Sequence, residues 1–98
     1  MAEDCIFCGI VAGDIPGRIV KETDHSIAFL DANPLAPGHT LVVPKQHYER
    51  LHDVPGDETA ELFGAVHELP EAVEDAVDAD AVSIGINDGE AAGQEVPH

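Results

Sequence analysis

From Asp57 to Asp78 the apolar residues Leu62, Val66, Leu69, Val73 and Val77 recur at steps of three or four, the spacing of one side of an α-helix. Pro70 lies inside this pattern and lacks the N–H that would bond to the carbonyl of residue 66. The spacing therefore predicts one long helix, kinked or split into two segments meeting near Leu69. On both sides of it the pattern changes. Arg18 to Glu22, with Ile19 and Val20, and His25 to Asp31, with Ile27, Ala28, Phe29 and Leu30, read as two strands that turn at Thr23-Asp24. His39 to Val43 is rich in β-formers and ends at Pro44, which has no N–H to give a sheet ladder. Ala81 to Asn87 is expected to be the last complete strand. Residues 5–12 form a short apolar helix closed by Gly13, Asp14 and Pro16, and the prolines and glycine of 31–38 mark a loop. Strands in succession with one substantial helix inserted indicate an α+β fold with a mainly antiparallel sheet. With no internal repeat and no linker, residues 1–98 are expected to be a single domain.

Charge decides the surroundings. The 98 residues carry 20 acids against Arg18, Lys21, Lys45 and Arg50, a net charge of −16. Such a chain repels itself at low ionic strength, whereas at about 1 M salt the Debye length shrinks to roughly 3 Å and the repulsion is screened. A halophilic setting is the expectation. A basic patch is missing, which argues against nucleic acid as a partner. No apolar run approaches the roughly 18 residues of a membrane span, and Glu3 and Asp4 stand where a signal peptide needs basic residues, so a cytoplasmic protein without membrane attachment is expected.

Two constellations carry chemistry. Cys5-Ile6-Phe7-Cys8 lets two sulfurs reach one tetrahedral ion, and the same pair could serve redox chemistry or none. His47 after the third strand and His98 after the fourth are candidates for the remaining ligands; His25, His39, His52 and His67 have weaker claims. The second constellation is the pair of loops 31–38 and 87–94. Asp31, at a strand end, can accept from both hydroxyls of a ribose, and Asn87, Gly93 and Gln94 offer amides and a close backbone to a phosphate. Ordinary polar turns are the alternative reading of both loops.

CIFCGIVAGDIP, IAFLDANPLAPGHTLVVPKQH and SIGINDGEAAGQEVPH, in this order around the helix, resemble the histidine triad (HIT) family of nucleotide hydrolases and transferases, in the branch with an N-terminal zinc pair. The resemblance implies structural Zn2+ held by Cys5, Cys8, His47 and His98. It implies a purine-nucleotide site with Ile27, Phe29 and Leu41 near the base, Asp31 on the ribose, and Asn87, Gly93 and Gln94 at the phosphate. His98 corresponds to the first histidine of the triad. The nucleophile, which attacks the α-phosphorus, would then lie two residues beyond it, with the triad strand cut short, Gln94, Glu95 and His98 in supporting roles, and the 98-residue chain inactive by itself. Glu95 stands where other branches carry a serine that assists the leaving group. The family implies a homodimer. A catalytically silent nucleotide-binding or zinc-stabilised interaction module is the competing class, and a metal-buffering protein a third.

Overall fold

A computed structural model describes residues 5–32, 34, 37–94, 96 and 98. Helix α1 spans Ile6–Ala12, with Cys5 at its N-cap and Gly13 at its C-cap in the left-handed conformation, φ 84°. Strands β1 (Ile19–Glu22), β2 (Ser26–Leu30) and β3 (Thr40–Pro44) follow, then helix α2 (Gly56–Val77). Single 3-10 turns occupy Leu51–Asp53 and Glu90–Ala92. The strands form one antiparallel sheet in the order β1-β2-β3. This is the expected α+β architecture.

The register explains the core. Ile27 pairs with Val43 and Phe29 with Leu41, so one face of the sheet presents four apolar side chains. Ile10 of α1 closes over them with Ile27, Phe29 and Val43, and Phe7, Val11, Ile15 and Leu41 pack around the edge. Phe7 meets Phe29 edge-on, with ring centroids 5.3 Å apart, a favoured aromatic geometry. Ala28, which points to the opposite face, is also buried, as are Leu62 and Ala65 of α2. The sheet is thus covered by α1 on one side and α2 on the other. A run with both faces buried explains why β2 reads SIAFL rather than alternating.

Two expectations are corrected. The helix is not divided at Pro70: α2 runs unbroken for 22 residues with the proline inside. An interior proline costs on the order of 3 kcal/mol, and packing on both sides of it opposes the break. Leu62 and Ala65 are buried before it, and after it Val73 and Val77 press on Gly38, where a Cβ would lie 3.2 and 3.0 Å from their methyls. The second correction concerns residues 81–87, which form no strand. Val82, Ile84 and Ile86 alternate as a strand would, yet they are 38%, 63% and 56% exposed. A strand exists only with a hydrogen-bonded partner, and the ladders of the described residues join β1 to β2 and β2 to β3 alone.

Glu61 of α2 fastens the helix to the β1–β2 turn. Its carboxylate accepts from the hydroxyl of Thr23 and, at 2.6 Å, from the amide of His25, and it lies 3.1 Å from Nδ1 of His25. Thr23 Oγ1 in turn accepts from the amide of the buried Ser26 at 3.0 Å.

Candidate metal centre and glycine loop

Cys5, Cys8, His47 and His98 converge, with ligand atoms within 4.8 Å of one another. Four local structures bring them there. Cys5 is the N-cap of α1 and Cys8 sits within its first turn, so the helix start aims both sulfurs one way. His47 follows β3 by three residues, and His98 reaches β3 itself, donating from Nε2 to the carbonyl of Pro44 at 2.7 Å. The ladder bonds of β2 and β3 join odd-numbered residues, Lys45 to His25 and Asp31 to His39 among them, so the Pro44 carbonyl points away from β2 and is free for this use. That bond leaves Nδ1 of His98 unprotonated and facing the thiols, 3.3 Å from Sγ of Cys5 and 3.5 Å from Sγ of Cys8. Nδ1 of His47 lies 3.3 Å from Sγ of Cys8.

These separations fit a tetrahedral ion. Donors at zinc–sulfur and zinc–nitrogen distances of about 2.3 and 2.0–2.1 Å lie about 3.3–3.8 Å from each other when the angles are tetrahedral. Two thiolates and two neutral imidazoles, one with its tautomer fixed by a backbone carbonyl, suit a closed structural site. Burial, reinforced by Cys5, pushes the Cys8 thiol above its ordinary range, so an ion bound there would have to displace its proton. Burial also depresses the His98 imidazole against the raising effect of the Pro44 bond, with His47 adding to the depression, which favours the neutral form a metal requires. Phe7 joins the centre to the core, its ring edge-on to His98 at 5.9 Å and to Phe29 at 5.3 Å.

The loop that leads to His98 is pinned to the segment that follows His47. Asp88 Oδ1 accepts from the amide of Leu51 and from Nε of Arg50, each at 2.9 Å. Gln94 is used at both ends: Oε1 accepts from the amide of Gly89 at 2.7 Å, and Nε2 donates to the carbonyl of Glu49 at 3.0 Å. Asn87 Nδ2 donates to the carbonyl of Gly93 at 3.4 Å. Hydrogen bonds to Leu51 and Arg50 hold the Asp88 carboxyl below its usual range. Gly89 and Gly93 have φ of 104° and 97°, backbone that a side chain would resist.

The expected base and ribose residues are spread along β2 and β3, from Ile27 near the start of β2 to Asp31 just past its end. Ile27 and Phe29 are each 2% exposed and belong to the core beneath Ile10 of α1, while Leu41 is partly exposed beside them. Asp31 follows β2, donates its amide to the carbonyl of His39 at 2.9 Å, and holds its carboxylate 3.5 Å from His39 Nδ1. Glu95 lies outside the described residues, as do Asn33, Leu35 and Ala36 of the first loop. Reasoning from sequence gave His39 a weak claim and did not single out Arg50, Asp88 or Pro44 for any part in this site. A main-chain acceptor such as that of Pro44 leaves no mark in the sequence. Arg50 had one, as one of four cations among 20 acids.

A fold whose sheet, thiol–imidazole cluster and glycine loop stand in this order defines a class that comparison identifies. The HIT domain model matches residues 12–98, and the chain belongs to the HIT domain family. An uncharacterized HIT-like protein of Methanocaldococcus jannaschii is 47% identical over 94 residues, covering 96% of this chain and 72% of the relative. The adenosine 5'-monophosphoramidase of Saccharomyces cerevisiae is 38% identical, over 96% of this chain and 57% of its own length. The crystal structure of a zinc-bound histidine triad family protein from Mycobacterium smegmatis superposes with a TM-score of 0.91 at 37% identity, covering 100% of this chain and 71% of that one. That structure is zinc-bound, in keeping with the donor set assembled here.

Proposed function

We propose that the chain binds purine nucleotides and that the complete protein hydrolyses or transfers a nucleoside monophosphate, acting at the α-phosphate of a phosphoramidate, adenylate or dinucleotide polyphosphate. The observation that carries this reading is the family match across residues 12–98, which includes both loops and His98. The phosphoramidase activity named for the yeast relative supports the substrate class. Zn2+ on Cys5, Cys8, His47 and His98 is structural: bound there, it ties α1 and β3 to the chain that follows the glycine loop. His98 would consequently be a ligand and not the nucleophile, because its Nδ1 lone pair faces the sulfurs of Cys5 and Cys8 and its Nε2 proton goes to the Pro44 carbonyl.

In this reading a histidine beyond His98 forms a bond to the α-phosphorus as the bond to the leaving group breaks, and water then cleaves the phosphorus–nitrogen bond. The residues present hold the nucleotide for that step. Ile27, Phe29 and Leu41 underlie the base, Asp31 takes the ribose hydroxyls, and Asn87 and Gly93 meet the phosphate. Gln94 acts by shaping the loop, since its amide is committed to Gly89 and Glu49. The setting is cytoplasmic, where thiols stay reduced for metal. Among the described residues no helix is long and apolar enough to cross a membrane. The apolar edge at Val82, Ile84 and Ile86 supports a homodimer.

Calorimetry with adenosine monophosphate, beside turnover of an adenosine phosphoramidate, tests the reading. Saturable binding by these 98 residues, with turnover appearing only when the apolar-histidine repeat follows His98, is the expected result. Zinc bound without nucleotide affinity would replace it with a metal-buffering role, and binding without turnover by the longer protein with a silent module.

A further inference from the structure

Positive charge is scarce in this chain, four side chains against 20 acids, and most of its visible use is structural. Lys21 is paired with Glu68 at 2.7 Å and Lys45 with Glu22 at 2.6 Å. Arg50 differs from both. It is anchored through Nε alone, 2.9 Å from Asp88 Oδ1, and among the described residues Nη1 and Nη2 make no hydrogen bond. The guanidinium lies flat enough on Gly89 that a Cβ built there would stand 3.1 Å from Cζ and 3.4 Å from Nη1. At φ 104° that position admits glycine readily and little else, so the backbone and the close approach of the cation make the same demand. Arg50 is 47% exposed, which leaves its outer edge in water.

We propose that Arg50 binds the second anionic group of a nucleotide, the phosphate or sulfate that follows the α-phosphoryl group. The inference rests on the nucleotide reading above. A net charge of −16 repels a polyanionic ligand, so directed N–H donors on the glycine loop are the means left for holding a second anionic group. Asp88 balances the formal charge of Arg50, so what Arg50 offers an anion is the pair of terminal N–H donors that the ion pair leaves unused. With Nε occupied, the edge formed by the two terminal nitrogens is the one that receives a tetrahedral oxyanion through two parallel hydrogen bonds. A nucleoside monophosphate has nothing to offer that edge; a diphosphate has. Arg50 therefore selects between ligands.

The test compares AMP and ADP binding by calorimetry to the zinc-loaded protein, at the lowest KCl concentration in which it remains folded. The wild type binds ADP more tightly, by about fivefold, the scale of one solvent-exposed charge pair. Arg50→Gln abolishes the preference by weakening ADP binding more than AMP binding, whereas Arg50→Lys keeps part of it. Equal losses for both ligands in Arg50→Gln would show that Arg50 only holds the loop, and overturn the inference while leaving nucleotide binding intact. A wild type that binds both equally overturns it without any variant. Binding of neither nucleotide removes the nucleotide reading and this inference together.

Discussion

Gly89 and Gly64 make a matched pair of experiments. Gly89 has φ 104° and ψ 153°, a region that is almost glycine's own, and a Cβ there meets Arg50. Gly89→Ala is expected to destabilise the zinc-loaded protein by about 1–3 kcal/mol in denaturant titration. Gly64 lies within α2 with nothing within 4 Å of its Cβ position, and Gly64→Ala is expected to stabilise by about 0.5–1 kcal/mol. Equal effects of the two changes would refute the conformational account of the loop. At this scale the sequence is informative about which residues matter and poor at saying how. Cys5 and Cys8 were readable as a donor pair from their spacing, whereas the choice of His47 and His98 among six histidines came with the family resemblance, and the four do converge. Gln94 was readable as a loop residue, but its engagement with Gly89 and Glu49 depends on a segment 45 residues away. Arg50 and Asp88 are common residue types whose meeting is a product of the fold.

Between elements, the clamp of Glu61 on the β1–β2 turn gives stability a pH dependence. Hydrogen bonds from Thr23 and His25 lower the Glu61 carboxyl to about 2, and the bond to Glu61 raises His25 above its ordinary range. A lowered carboxylate contributes stability above its unfolded value, near 4.5, and loses it as pH falls toward 2. A raised imidazole contributes below about 6.5 and loses it as pH climbs through its folded value. The pair acts together between those limits, so thermal melts of the wild type against Glu61→Gln should differ most near pH 5–6 and least near pH 2. A pH-independent difference would mean that the charges do not matter. A second contrast lies in residues 82–86, whose amides should exchange with solvent within the dead time of a hydrogen-exchange experiment while those of β2 are protected. Protection there would mean that a partner strand is present. The helix and the three strands of the sheet were legible because periodicity and turn residues are local signals. The unbroken α2 and the absence of a strand over 81–87 were not, since one depends on tertiary packing around Pro70 and the other on a partner strand.

For the whole molecule, two long-range terms are expected to set stability: self-repulsion of a −16 chain and, in the proposed zinc-bound state, the hold of one ion on three parts of the chain. Twenty acids on a 98-residue domain predict a melting temperature that climbs with KCl, steeply below about 0.5 M and more slowly beyond, as the Debye length falls below the spacing of surface charges. A melting temperature indifferent to salt would contradict the halophilic reading. The fold class was legible at this scale, because an antiparallel sheet with one long helix follows from element order, and the solved histidine triad structure from Mycobacterium smegmatis superposes at a TM-score of 0.91. The metal term is central to the proposal, since an ion held by Cys5, Cys8, His47 and His98 would bind α1, the segment after β3 and the end of the glycine loop into one unit. Metal analysis of protein purified without chelator tests this most directly. The account predicts one zinc per chain, and loss of at least half of it in His98→Ala; a wild type free of stoichiometric zinc, or a His98→Ala variant that retains it in full, would contradict the account.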